Sequence, residues 1–125
     1  MKKTTARRED YLKLIYKLSK TGEVRGVDIA EELDVSRPTV CIYLKRMVEV
    51  GDITMDKQHT VHLTHQGREI AESIQEKHNL LFDLLCSLGV PDRIACEDAC
   101  GIEHNLSPET YAALQRLYRE RQSFA

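Results

Sequence analysis

A chain of 125 residues with net charge −2 and 42% hydrophobic residues has room for one domain or two small ones, and it buries about two-thirds of its unfolded surface, enough to fold without staples. Residues 1–60 carry 12 Lys+Arg against 10 Asp+Glu and residues 61–125 carry 6 against 10, so neither half has the basic excess that by itself announces nucleic acid. The absence of a secretory signal or an 18-residue apolar run excludes a membrane span and reads as cytoplasmic, where four cysteines are expected as thiols or ligands rather than disulfides.

Residues 1–5 form a loose polar start, with Thr4 or Thr5 capping a helix to about Lys20. Tyr11, Leu14, Ile15 and Leu18 make its apolar stripe, and Thr21-Gly22 ends it. Glu9 and Asp10 sit in its early turns, where carboxylates favour the helix dipole. Residues 27–33 predict a short helix with Ile29, Ala30 and Leu33 inward, followed by a tight Asp34-Val35 turn. Ser36 is then an N-cap and Pro38 lies in the first turn of a helix reaching about Val50, with Val40, Leu44, Met47 and Val48 inward.

Two short helices, a tight turn and a capped second helix make a helix-turn-helix, although an αα-hairpin within a bundle shares much of that pattern. The second helix of such a motif enters the major groove of double-stranded DNA with its N-terminal residues. Ser36 and Pro38 stand at its mouth, and Arg37, Thr39, Ile42, Tyr43 and Arg46 face outward. Thr39 suits a thymine methyl or a phosphate, the two arginines suit phosphate or guanine edges, and Ile42 and Tyr43 suit apolar contact. Each arginine is equally at home on a solvated helix face. Ile53-Thr54-Met55 and Val61-His62-Leu63 alternate around residues 56–60, which predicts a β-hairpin and so a winged helix-turn-helix, with Lys57 at the tip within reach of phosphate. His59 and His62 point to opposite faces of a strand, so they make a poor ligand pair.

Thr64 caps a long helix to about Leu88, with Ile70, Ile74, His78, Leu81 and Leu85 on one stripe and Leu80, Leu84 and Leu88 on a second edge. Two apolar sides need two partners, its own domain and a second subunit. Gly89-Val90-Pro91 breaks the chain, and Pro91 begins another helix. That helix carries Cys96, Cys100, Glu103 and His104. Continued helix puts Cys100, Glu103 and His104 at i, i+3 and i+4 on one face, about 5–6 Å apart at Cβ, with Cys96 one turn back. Thiolate, imidazole and carboxylate together suit a divalent transition metal better than Ca²⁺ or Mg²⁺; small thiols in a helix core beside a solvated Glu-His pair are the bland alternative. Ser107-Pro108-Glu109 starts a last helix to about Arg121, with Tyr111, Leu114, Leu117 and Tyr118 inward, and Gln122–Ala125 carry no signal.

Glu9-Asp10-Tyr11-Leu12, Asp28-Ile29-Ala30-Glu31, Ser36-Arg37-Pro38-Thr39-Val40, Leu63-Thr64 with Gly67, Lys77-His78 and, most specifically, residues 97–107 occur in this order. Over roughly residues 8–120 the chain resembles the iron- and manganese-dependent repressors typified by the diphtheria toxin repressor and the manganese transport regulator, in their short two-domain form. The resemblance implies that Asp10 is the acidic ligand of the first helix, His78 the long-helix histidine, and Glu103 and His104 the Glu-His pair. Cys100 stands where manganese regulators have Glu and iron repressors have Cys, and Lys13 where manganese regulators have a second acid. Cys96 replaces a second-site histidine of the iron repressors, and Phe82 that site's Glu. These departures imply one iron-type site with Asp10 in place of the usual Met. They leave open whether Cys96 and His78 join it, build another or pack.

The expected fold is mainly α: a winged helix-turn-helix DNA-binding domain over residues 1–72, then an all-helical metal-binding and dimerisation domain over residues 73–125. The expected function is a homodimeric, metal-activated transcriptional repressor on a pseudo-palindromic operator. Fe²⁺ or Mn²⁺ is the expected ion, with Zn²⁺, Co²⁺ and Ni²⁺ compatible with the donors. Two rivals use the same residues. Cys96 and Cys100 at i, i+4 can serve a thiol-redox switch in a metal-independent winged-helix regulator, at the outer limit of disulfide geometry. Cys100 with His104 can mimic a nucleophile and base, but no oxyanion-hole signature accompanies them.

Overall fold

The computed structural model describes residues 5–123; the expected polar start at residues 1–4 and the final two residues lie outside them. Six α-helices and one two-stranded sheet follow in the order α1 Ala6–Ser19, α2 Gly26–Leu33, α3 Arg37–Val50, β1 Ile53–Met55, β2 Val61–Leu63, α4 His65–Ser87, α5 Asp92–Ile102 and α6 Pro108–Ser123, with a 3₁₀ turn at Glu103–Asn105. The chain forms two compact units, residues 1–72 and 73–125, and α4 runs across the boundary.

Local chemistry sets the helix ends. Thr5 accepts a hydrogen bond from the Arg8 amide, Ser36 from the Thr39 amide and Ser107 from the Thr110 amide, each occupying an amide that the helix leaves unpaired. Helices α2, α3 and α4 close alike. After α3 the Gly51 and Asp52 amides donate to Val48 and Met47, and after α4 the Gly89 and Val90 amides donate to Cys86 and Leu85. This crossed pattern requires a left-handed residue, which Gly51 (φ 87°) and Gly89 (φ 92°) supply without strain. Asp34 does the same for α2 at φ 55°.

In the N-terminal unit Tyr11, Leu12, Ile15, Val24, Ile29, Ala30, Val40, Leu44, Met47, Ile53, Val61 and Ala71 form one buried cluster. The face of α1 is rotated from the expected stripe: Leu12 is fully buried, while Leu14 and Leu18 are only partly covered. On α3, Val40, Leu44 and Met47 define the buried line, and Val48, about 100° round the helix from Met47, is 42% exposed.

Asp52 anchors this unit. Its side chain is fully buried and accepts from Arg8 Nε at 2.6 Å, Arg8 Nη2 at 2.7 Å and Gln66 Nε2 at 2.7 Å. The carboxylate's hydrogen bond pushes the Arg8 guanidinium pKa further up. The Asp52 carbonyl receives the Thr64 amide, and a Cβ on Gly67 would collide with it. One residue therefore ties α1, the end of α3, the start of β1 and the start of α4.

The wing is an antiparallel hairpin with Ile53 opposite Leu63 and Met55 opposite Val61. Asp56 organises its loop by accepting from the Gln58 and Thr60 amides, and its other oxygen lies 2.9 Å from His62 Nε2. The His62 contact first, then the Thr60 amide, holds the Asp56 carboxyl below its ordinary range.

In the C-terminal unit Ile74, Leu80, Leu81, Leu84, Ala95 and Ala99 are buried. The Tyr118 hydroxyl donates to Asp83, Arg121 to the Ser87 carbonyl, and the Lys77 ammonium lies over the Tyr111 ring; these contacts seat α6 on α4. Leu117, expected to face inward, is 45% exposed, and Leu88, on the second apolar edge of α4, is 64% exposed.

Replacing Asp52 by Ala strands the Arg8 guanidinium beside an apolar cavity. Breaking a buried pair from one side typically costs 3–5 kcal/mol; because Arg8 retains some water, about 3 kcal/mol is expected, read as a lower urea midpoint for the full chain, and an unchanged midpoint would show the pair idle. Asp56 gives a pH signature with a fixed sign. Its folded pKa is depressed, so its support of the wing is present above the unfolded value and is lost as pH falls through the lower folded value. In NMR titrations the Gln58 and Thr60 amides should hold their shifts to below the ordinary carboxylate range, and His62→Ala should move that transition upward.

Candidate metal centre and DNA-facing helix

Cys100, Glu103 and His104, expected on one helical face, lie at the end of α5 and in the turn that continues it. Helix α5 stops at Ile102 and tightens into the 3₁₀ turn Glu103–Asn105. Glu103, the first residue of that turn, lies in the interior, where it is 1% exposed. Its Oε2 lies 3.0 Å from His78 Nδ1 and its Oε1 lies 3.6 Å from His104 Nε2. Desolvation makes a lone buried carboxylate unfavourable; two imidazoles relieve it.

His78, not Cys100, is therefore the centre of the cluster. Cys100 Sγ is 3.8 Å from its Nδ1 and Cys96 Sγ is 4.0 Å from its Nε2. One ring nitrogen and both sulfurs lie within 4.8 Å of one another. Both cysteines are exposed and outside any disulfide, and His78 is half-buried. Phe82, one turn along α4, lies nearly parallel to the His78 ring, at 9° with centroids 6.5 Å apart. Sulfur and imidazole around His78, and the Glu103 carboxylate between His78 and His104, are donors of the kinds that divalent transition metals take. These five side chains all belong to the C-terminal unit; Asp10 is an exposed residue of α1 in the N-terminal unit. The wing and neighbouring histidines lie outside the cluster, His62 against Asp56 and His65 against Glu69.

On α3 the outward positions separate into three kinds. Arg37, Pro38, Thr39, Ile42 and Arg46 are exposed. Ile42 is 59% exposed, a large apolar surface one turn before Arg46. Ser36 is exposed but commits its hydroxyl to the cap, 2.7 Å from the Thr39 hydroxyl. Tyr43, expected to face outward, is half-buried with its ring 4.3 Å from that of Tyr11; a bulky ring one position before the buried Leu44 reaches the core edge. Cys41 is also exposed on this helix, a position that sequence reasoning passed over because a single thiol has no periodic signal. Lys57 stands exposed in the wing loop. Among the described residues no helix is long and apolar enough to cross a membrane.

Residues 3–61 match the model of the iron dependent repressor N-terminal DNA binding domain, and residues 64–123 that of the iron dependent repressor metal binding and dimerisation domain. The transcriptional regulator MntR of Escherichia coli O157:H7 is 41% identical over 114 residues, which cover 90% of this chain and 73% of that protein. The diphtheria toxin repressor of Corynebacterium jeikeium is 34% identical, over 90% of this chain and 48% of its own. Among solved structures, the manganese regulator SloR superposes with a TM-score of 0.78 at 31% identity, over 93% of this chain and 55% of that one. The chain thus spans about half the length of some relatives and about three-quarters of another. With both halves matched in order, it belongs to the iron-dependent repressor family of metal-dependent transcriptional regulators.

Proposed function

We propose that this chain is a metal-activated, homodimeric transcriptional repressor that acts in the cytoplasm on a pseudo-palindromic DNA operator. The observation that carries the reading is the occurrence, in one chain, of an exposed, arginine-bearing helix α3 and a mixed sulfur, nitrogen and oxygen cluster around His78. Arg37 and Arg46 suit phosphate or guanine, Thr39 and Ile42 suit thymine methyls, and Lys57 suits a phosphate beside the groove. Ser36 and Pro38 fix where α3 begins, and Tyr43 braces it on Tyr11. A two-fold dimer sets two such helices about 34 Å apart, one DNA turn, or a multiple of it. Leu88, Ile94, Ile102 and Leu117 are exposed apolar residues of the C-terminal unit that a second copy would cover.

Glu103 and His104 are the residues that would hold the regulatory ion, and the family resemblance adds Asp10 to them. Cys100, Cys96 and His78 border this set and extend it with softer donors. When bound, Fe²⁺ or Mn²⁺ supplies a positive charge that lets carboxylates converge without repulsion, and Zn²⁺, Co²⁺ and Ni²⁺ suit the same atoms. Activation requires that the ligand set be better formed in the DNA-competent state; equal affinity for both states would shift nothing. No enzymatic role is assigned to Cys100 and His104.

A duplex enriched from a random pool in Mn²⁺, then followed by fluorescence anisotropy, tests the reading. With coupling of about 1–3 kcal/mol, Mn²⁺ or anaerobic Fe²⁺ should raise affinity roughly 5- to 150-fold over chelator, and His104→Ala should lose that response with its circular dichroism intact. Equal binding in chelator, or no enriched duplex, would refute it. Arg37→Ala and Arg46→Ala should each weaken binding and, for a phosphate contact, reduce the slope of log affinity against log salt by about one. An unchanged slope in both would remove them from the backbone interface.

A further inference from the structure

The outward face of α3 is aliphatic at its middle. Among the described residues of the N-terminal unit, Ile42 is the most exposed large apolar side chain. It lies off the buried line of Val40, Leu44 and Met47. A single exposed apolar residue is ordinary in itself; the surroundings set this one apart. Pro38 and Thr39 stand at i−4 and i−3, Lys45 and Arg46 at i+3 and i+4, and all four are exposed, so they border Ile42 on the helix surface. The two cations suit phosphates. Towards the helix start, the Thr39 hydroxyl lies 2.7 Å from that of Ser36, which also accepts from the Thr39 amide. Those hydroxyls are engaged in the cap, and the side chain between them and the cations has no polar atom.

The N-terminal part of such a helix meets base edges in the major groove. Every base presents hydrogen-bonding groups there, and only thymine adds an apolar one, its C5-methyl. Isoleucine carries neither donor nor acceptor. Over a guanine, adenine or cytosine edge it displaces water from polar atoms and returns no hydrogen bond, which is unfavourable. Against a thymine methyl it removes apolar surface of both partners from water. Ile42 thus favours one base and penalises the others.

We infer that Ile42 sets operator specificity by requiring a methyl group at C5 of one pyrimidine in each half-site. The inference deepens the repressor reading and rests on its assignment of α3 to DNA. Thymine and 5-methylcytosine carry that methyl at the same place in the groove and are preferred; uracil and unmodified cytosine lack it and bind more weakly. Methylation of a cytosine at this position therefore strengthens a half-site.

The test takes the full chain and the duplex enriched in Mn²⁺, replaces its thymines one at a time by uracil, and reads anisotropy in Mn²⁺. Burying one methyl-sized group is a roughly fourfold effect, so uracil at the contacted position should weaken binding roughly fourfold in one half-site and about 15-fold in both. Ile42→Ala should bring the thymine-over-uracil ratio at that position towards one, which a merely structural role would not do. In the wild-type protein 5-methylcytosine there should outbind cytosine by a similar factor. Uracil duplexes that all bind like the thymine duplex, an Ile42→Ala variant that keeps the full ratio, or 5-methylcytosine that binds no better than cytosine would overturn the methyl contact alone. A duplex bound equally well in chelator overturns metal activation, and its uracil series still decides the role of Ile42. No enriched duplex at all overturns both.

Discussion

Glu103 imposes the constraint on which the candidate centre depends. A carboxylate at 1% exposure has given up its hydration, and the penalty is several kcal/mol unless partners replace the water. His78 and His104 are those partners, at 3.0 and 3.6 Å. Satisfying Glu103 fixes the His78 ring, and the ring fixes what the two thiols of α5 face. The same contact that makes the buried acid tolerable therefore builds the donor cluster, so stability and ligand geometry share one cause.

Asp52 poses the same problem in the N-terminal unit and meets it differently. Its partner is Arg8, a permanent cation gripping both carboxylate oxygens. Guanidinium is a rigid fork that stays charged at any physiological pH and binds no metal. Imidazole exchanges protons near neutrality and ligates transition metals. One buried acid is thus locked into architecture, beneath the wing and the helix-turn-helix, and the other is held by groups that can trade partners. That difference separates a structural pair from a candidate regulatory one more clearly than burial does, since both acids are buried.

Much of this was legible in the residues. Caps and left-handed stops at Thr5, Ser36, Gly51, Thr64 and Gly89 gave the helix ends within a few residues, because those signals are local. The alternation of 53–55 and 61–63 gave the wing. What failed was azimuth: Leu12, off the expected line, is buried, Val48 and Leu117, on theirs, are exposed, and the tertiary partner decides which edge of a broad apolar face turns inward. Asp52 was invisible, since its chief partner is 44 residues away and a single acid after a glycine has no period. Spacing put Cys100, Glu103 and His104 together, but the contacts of Glu103 and Cys100 with His78 join two different helices, which no local period reveals.

Charge makes the need for a conformational switch concrete. The C-terminal half carries 6 basic against 10 acidic side chains, so occupancy by a divalent ion offsets part of an unfavourable field on a polyanion. That term is weak: beyond about 8–10 Å it is screened at physiological salt, and it would favour any DNA sequence alike. An ion acting through net charge alone would tune non-specific affinity and leave discrimination untouched. Selective repression instead requires a ligand set that differs between two arrangements of the chain. Carboxylates suit that role because they repel one another when the ion is gone, whereas thiols and a braced imidazole can stay together without it. By that argument oxygen donors suit a switch better than thiols and a braced imidazole do.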